Sequence, residues 1–291
     1  MHLYLSLADF VAESKTAVLH CTFPNGKVIN YKMDEADIKT MNNQKYYVFH
    51  LPVAAKEMTM NIYAQIIDEA NEITGEKYSV SIDEYARYLM GYAYDSKGNV
   101  LNKEFAAAVP LVKALLNYGA RAQKYFNPDT YTLANWMLSS EEKELPDLKA
   151  ESIPSYVLSE QSEKLPDGIT FDGASISIVS ETEMNLYFTN KTGKKVVYSE
   201  PVRGIATEGR KSDGSTIVKI TGIPAHKLDE VIRVEVSVEG DPNTYFVTYS
   251  PIFYCHNVIA RKTTATRTDN LKELMKAFYF YNQAAKNYLG E

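Results

Sequence analysis

The sequence predicts an α+β fold: two antiparallel β-sandwich-like domains, each followed by helices, related by internal duplication. Three observations predict it. The chain has 291 residues, 45% of them apolar and 23% charged, which is room and balance for two globular domains. Apolar residues recur first with the two-residue period of strands and then with the three-to-four-residue period of helices, and they do so twice. The two helical stretches also share spaced identities at one constant offset: Leu111, Lys113, Ala114, Tyr118, Ala122 and Tyr125 against Leu274, Lys276, Ala277, Tyr281, Ala285 and Tyr288. Upstream, Ser81 and Tyr85 match Ser250 and Tyr254. Before those, Ala55, Met58, Ile62, Ala64 and Ile66 match Ala225, Leu228, Ile232, Val234 and Val236. The three blocks are collinear, so small changes of offset read as loop-length differences.

The first domain is expected over residues 1–138, with strands over about 3–80 and helices over about 82–127. Residues 17–23 read as a strand ended by the hairpin-type pair Asn25-Gly26. Residues 60–66 alternate, and residues 47–51 are expected as the neighbouring strand. Ser81 and Glu84 have the spacing of a capping box and open a short helix carrying Tyr85, Tyr88 and Leu89, closed by Gly91. The next helix is expected to bury Val109, Val112, Leu115, Leu116, Gly119, Ala122 and Phe126, with Pro110 in its first turn. Residues 139–168, rich in charge and holding two Leu-Pro-Asp triplets, read as a surface linker.

The second domain is expected over 169–291, with strands over about 172–250 and helices over about 251–289. Residues 176–178, 216–220 and 232–239 show strand patterns, the last with clean alternation. Leu271, Leu274, Phe278, Tyr281, Ala285 and Tyr288 form the closing helical stripe.

The two copies differ at the start. Met1, Leu3 and Tyr4 match Met184, Leu186 and Tyr187, yet residues 172–183, which read as a strand and turn, have no counterpart before Met1. Met1 is therefore expected to be an internal start. The consequence would be an open sheet edge, with edge pairing, dimerisation or disorder through residues 1–15.

Composition narrows the function. A net charge of −6 argues against nucleic-acid binding and against adhesion to anionic lipid. No apolar run is long enough for a membrane span, and the first residues lack the basic and apolar regions of a signal peptide. Two cysteines make no disulfide scaffold. His20-Cys21 and Cys255-His256 lack the local spacing of zinc ligands, because adjacent residues of a strand face opposite ways. They read as buried or half-exposed structural residues, with a Cys21–Cys255 disulfide as the alternative. His2, His20, His50, His226 and His256 meet no Gly-x-Ser-x-Gly elbow, and no phosphate-binding loop occurs. Glu181 with Glu183, or Asp229 with Glu230, would have to face each other to hydrolyse a glycoside, and Glu181 and Glu183 read as solvated turn residues. No catalytic residue, metal or cofactor is expected. The repeated tyrosines, Tyr85, Tyr118, Tyr125, Tyr254, Tyr281 and Tyr288, read as a seam between helices and sheet. Tyr63, Tyr131 and Trp136 lie outside the matched set and are the candidate binding residues; Trp136 also reads as an anchor of the linker.

Residues 54–58, 81–86, 115–123 and Leu133-Ala134-Asn135 resemble a module of large secreted and cell-surface proteins of anaerobic gut Firmicutes. In that module a sandwich ends in a Ser-Val-x-x-Tyr-Ala turn, followed by an Asn-Tyr-Gly-Ala-Ala-Gln helix, a Leu-Ala-Asn segment and a second, more divergent sandwich and helix. The resemblance covers about residues 1–289. It implies export and attachment, adhesion or glycan contact, beside immunoglobulin-like repeats, leucine-rich repeats, dockerins or glycan-active domains. It implies no catalytic residues. The chain departs from it in lacking the first strand, and Asn282 stands where the first helix has Gly119. The expected function is a non-catalytic extracellular or cell-surface interaction or spacer module, with a glycan or surface protein as partner. The alternatives are a glycan-directed enzyme and a purely structural stalk.

Overall fold

A computed structural model describes residues 1–127, 130–154, 165–178, 182–209, 215–264 and 268–291. The fold is α+β with antiparallel sheets. The first strands are β1 (His2–Leu5), β2 (Val18–Thr22), β3 (Val28–Lys32), β4 (Asp37–Met41), β5 (Gln44–His50), β6 (Ile62–Asp68) and β7 (Ile73–Val80), with a one-turn helix α1 (Asp9–Ala12) after β1. They form two sheets, β1-β5-β4 and β3-β2-β6-β7. Leu19, Cys21, Ile62 and Ala64 of one sheet and Tyr47 and Phe49 of the other share a single core. The alternation of burial along β2 and β6 follows from having one face on that core and one in water.

The hairpin at Asn25-Gly26 forms as its sequence demands. Gly26 takes φ +79°, and the Phe23 N–H donates to Lys27 O at 2.8 Å. Residues 47–51, however, do not neighbour 60–66 in a sheet. Strand β5 pairs β1 and β4, whereas β6 pairs β2 and β7. Pro52 cannot extend the β5 ladder, and a 3-10 turn at Ala55–Glu57 carries the chain to the other layer.

Asp68, at the end of β6, is fully buried. It accepts hydrogen bonds from Ser14 Oγ (2.6 Å), Asn71 Nδ2 (2.8 Å) and Thr16 Oγ1 (2.7 Å). These donors hold its pKa down to about 2. A carboxylate with a lowered folded pKa stabilises the chain above its unfolded value and loses that contribution as pH falls through the folded one. Unfolding followed by circular dichroism should therefore show stability falling between about pH 4 and about pH 2. Asp68→Asn should be less stable at pH 7 and should lose less over that window.

Helix α2 (Ile82–Ala93) starts at Ser81, whose Oγ accepts the Glu84 N–H at 3.1 Å, so the serine half of the expected box forms. It does not stop at Gly91, whose missing side chain faces open space, but runs on to Ala93. Helix α3 (Lys103–Phe126) begins at the cap Asn102, whose Oδ1 accepts the Phe105 N–H at 3.1 Å. Pro110 thus lies inside the helix, not in its first turn. It leaves the Ala106 carbonyl without an amide four residues on, and the Tyr94 hydroxyl approaches that carbonyl at 3.5 Å. Phe126, expected in the buried stripe, is exposed at the last turn.

The segment after α3 is not a surface linker throughout. Helix α4 (Ser140–Lys143) opens on a capping box of Ser139 and Glu142. Leu138, Leu148 and Ile153 are buried in the main core. The motif residues of α3 hold this segment. Gln123 Oε1 accepts the Ala134 N–H at 2.7 Å. Asn117 Oδ1 accepts from Asn135 Nδ2 at 2.7 Å, and its own Nδ2 donates to Glu142 O at 2.7 Å. Arg121 donates to Lys143 O at 2.6 Å.

The remaining strands are β8 (Ile169–Ile178), β9 (Thr182–Asn190), β10 (Val196–Ser199), β11 (Ala206–Gly209), β12 (Ser215–Ile223), β13 (Ile232–Val238) and β14 (Thr244–Tyr249), followed by α5 (Pro251–Ala260) and α6 (Asp269–Leu289). They form sheets β11-β12-β9-β8 and β10-β13-β14. Helices α2, α3, α5 and α6 share one core with these sheets, while the first β-layer pair keeps its own. At the seam of α3 and α6, Tyr118 stacks on Tyr281 (5.5 Å, 9°) and meets Phe278 at 5.6 Å.

Candidate binding cleft

A cleft of about 1040 Å³ opens where the first sheets, the helices and the second sheets meet. Strand β1 supplies its wall from Met1 to Tyr4, β5 supplies His50, the start of α2 supplies Ile82, Glu84 and Tyr85, and α3 and α6 supply Leu115, Tyr118 and Tyr281. Ile178, Thr182 and Ile223 close the far side. The wall is mainly apolar and aromatic, the usual make-up of a binding site. Glu84 is the one carboxylate among its described lining residues. The His2 and His50 rings stand 5.2 Å apart. Burial, then the neighbouring His50, lowers the His2 pKa, which favours the uncharged ring. Burial pushes the Tyr118 hydroxyl well above its ordinary value and raises that of Tyr281, so both are neutral hydrogen-bonding groups. The cleft can thus hold an apolar or extended ligand against a few polar groups.

A smaller, more polar cleft of about 370 Å³ lies between β8 and α5, with Asp172, Tyr187, Tyr249, Tyr254, Asn257 and Arg261 on its walls. The Asn257 amide donates to the Tyr249 hydroxyl at 3.1 Å.

None of the three sequence candidates lines either cleft. Trp136 is half exposed on the loop after α3. Its Nε1 donates to the Asp83 carboxylate (3.1 and 3.3 Å) and the Arg87 guanidinium lies 5.9 Å from its ring, which is the anchoring arrangement. Tyr131, on the same loop, is fully exposed. Tyr63 projects from β6 with Lys77 Nζ 4.5 Å over its ring. The repeated tyrosines divide: Tyr118 and Tyr281 do form a seam, but between two helices, whereas Tyr85 and Tyr288 are exposed.

Cys21 and Cys255 are free, and each is buried in a different core. Burial pushes the Cys21 thiol up to about 12 and raises that of Cys255 further, so neither is a ready nucleophile. The disulfide alternative is thereby set aside. His20 hydrogen-bonds Asn30 at 2.8 Å and His256 stacks on Phe253 (5.9 Å, 9°). No group of three or more metal-ligating side chains occurs among the described residues. Asp229 is ion-paired with Lys286 and Glu230 with Arg203, so these carboxylates serve the fold. Glu183 lies on β9, and Glu181 falls outside the described residues. Among the described residues, no helix is long and apolar enough to cross a membrane.

Sequence reasoning missed the cleft residues His2, His50, Tyr118 and Tyr281 as a group. They are remote along the chain and meet only through sheet pairing and the α3–α6 seam. No protein-family model matches the chain, and no curated protein matches it.

Proposed function

We propose that the chain is a non-catalytic interaction or spacer module of a secreted or cell-surface protein, built by duplication of a β-sandwich-plus-helices unit, with a glycan or surface protein as partner. The duplication is supported by hydrogen bonds that recur at matched residues. The Asp83 N–H donates to Met58 O, and the Ile252 N–H to Leu228 O, each at 3.0 Å. Ser81 and Ser250 cap the two equivalent helices. Gly119 and Asn282 hold matched places: a Cβ at Gly119 would lie 3.3 Å from Ala55 O, and Asn282 Nδ2 donates to Ala225 O at 2.8 Å.

The observation that carries the binding reading is the character of the exposed groups. The large cleft is apolar with Glu84 as its carboxylate, and Tyr131 stands wholly in solvent beside the partly exposed Trp136. Flat exposed rings suit stacking on sugar faces. The test is retention of the chain on immobilised glycans, together with fractionation of the cells that make it. The expected result is an extracellular or surface location and glycan retention. Tyr131→Ala should weaken retention about fivefold, as for loss of about 1 kcal/mol of ring contact. Its melting temperature should not change, because exposed positions contribute little to stability. A purely cytosolic location, or retention indifferent to Tyr131 and Trp136, would overturn the reading.

A further inference from the structure

One wall of the small polar cleft is a break in a strand. Along β8 the register to β9 steps from Phe171 opposite Phe188 to Gly173 opposite Tyr187, so Asp172 is an extra residue. Such a bulge re-aims a side chain out of the ladder. Gly173 takes φ +132° there, a backbone shape that residues with a Cβ rarely adopt. The Asp172 carboxylate is held on both oxygens, accepting from the Thr170 hydroxyl at 2.8 Å and the Thr189 hydroxyl at 2.6 Å. An ionised carboxylate has about four acceptor positions, so it can still accept from a further donor.

The facing wall is one side of α5. Tyr254, Asn257 and Arg261 follow at helical spacing, which places them on one face, with Arg261 at the C-cap. At the offset that relates Ser81 to Ser250, α2 carries Tyr85, Tyr88 and Tyr92 in these places. The fold therefore does not require the asparagine or the arginine. Their polar groups are only partly used. The Asn257 amide donates to the Tyr249 hydroxyl at 3.1 Å, which leaves Asn257 Oδ1 as an acceptor and the Tyr249 proton as a donor. Tyr249 is only 6% exposed, and burial raises its pKa, so it stays a neutral donor. The Arg261 side chain is exposed and forms no ion pair among the described residues.

The cleft thus presents one negative and one positive charge beside neutral amide and hydroxyl groups. An anion would meet Asp172, and a cation would meet Arg261. A zwitterion would answer both charges but leave the Asn257 and Tyr249 groups without partners. A polyol answers all of them, because each hydroxyl both donates and accepts. We propose that this cleft is a second binding site and takes one neutral sugar ring. Neighbouring hydroxyls of the ring donate to Asp172 and Asn257 Oδ1 and accept from Arg261 and the Tyr249 hydroxyl. Tyr187 and Tyr254 flank its apolar face. A volume of about 370 Å³, at the small end for ligand sites, suits a single ring. Tyr131 and Trp136 do not line this cleft, so the site goes beyond the stacking surface proposed above.

The probes are D-glucose, D-galactose and D-mannose, with D-glucuronate and L-phenylalanine as charged comparisons, each titrated into the full chain. Binding is followed by the NMR shift of the Asn257 side-chain amide. At least one neutral sugar should bind saturably in the millimolar range, and more tightly than either charged probe. Arg261→Met keeps an unbranched stem and removes the donors, so it should weaken that binding about tenfold or more. The melting temperature should move by about 2 °C at most, since the change removes an exposed charge at a helix end. Absence of a shift with any neutral sugar at about 100 mM overturns the proposal. So does tighter binding of glucuronate or phenylalanine, and so does binding indifferent to Arg261→Met. Glycan retention through Tyr131 is read separately, so either site can fail while the other stands.

Discussion

Replacing Asn117 with leucine should cost the chain about 4 kcal/mol, the largest loss expected from a change that keeps side-chain volume. Asn117 lies on the inner side of α3 and is only 5% exposed. Its amide serves three groups at once: the Glu142 carbonyl, the Asn135 amide and the Arg121 guanidinium. Asn135 is also buried. Leucine would leave the half-buried Glu142 carbonyl and the buried Asn135 amide without that partner, and a buried orphan costs about 1–3 kcal/mol. The loss should appear as a lower urea midpoint with an unchanged slope. Asn135→Leu should cost nearly as much, and the double variant clearly less than the sum, because the second change removes a group the first had already orphaned. A double variant that lost the full sum would mean the two side chains act independently. The glycan retention proposed for Tyr131 should weaken in parallel, since Asn117 holds Asn135 on the loop that carries Tyr131.

The sequence made this network visible only in part. Its spacing stood out as a motif, yet Asn117 and Gln123 were not among the residues expected to be buried, and both are. The strands were easier to read. One face of each meets a core and the other meets water, so β13 alternates buried and exposed as its residues dictate. The start of α3 was misjudged because Pro110 is a conspicuous signal and Asn102 a quiet one, although the asparagine caps the helix. Leu148 and Ile153 were hidden among charges, and a lone apolar residue in a polar run has no period to betray it. The large cleft was not legible, because its walls come from seven separate stretches of the described chain.

Phe278→Ala should cost about 4 kcal/mol and should also divide the unfolding transition. Phe278 is fully buried in α6, with Tyr118 of α3 at 5.6 Å. Removing the ring leaves a cavity between α3 and α6, the two longest of the described helices. The damage falls in the core shared by the helices and β8–β14, whereas the β1–β7 layers keep a separate core around Phe49, Leu19 and Ile62. Cys21 and Cys255 report on the two cores separately, because each thiol is buried in a different one. In rising urea, Cys255 of the variant should react with a thiol reagent before Cys21, while in the parent chain the two should become reactive closer together. Simultaneous reaction in the variant would show that the β1–β7 layers cannot stand without the helices. The two cores would then be one cooperative unit despite their separate packing.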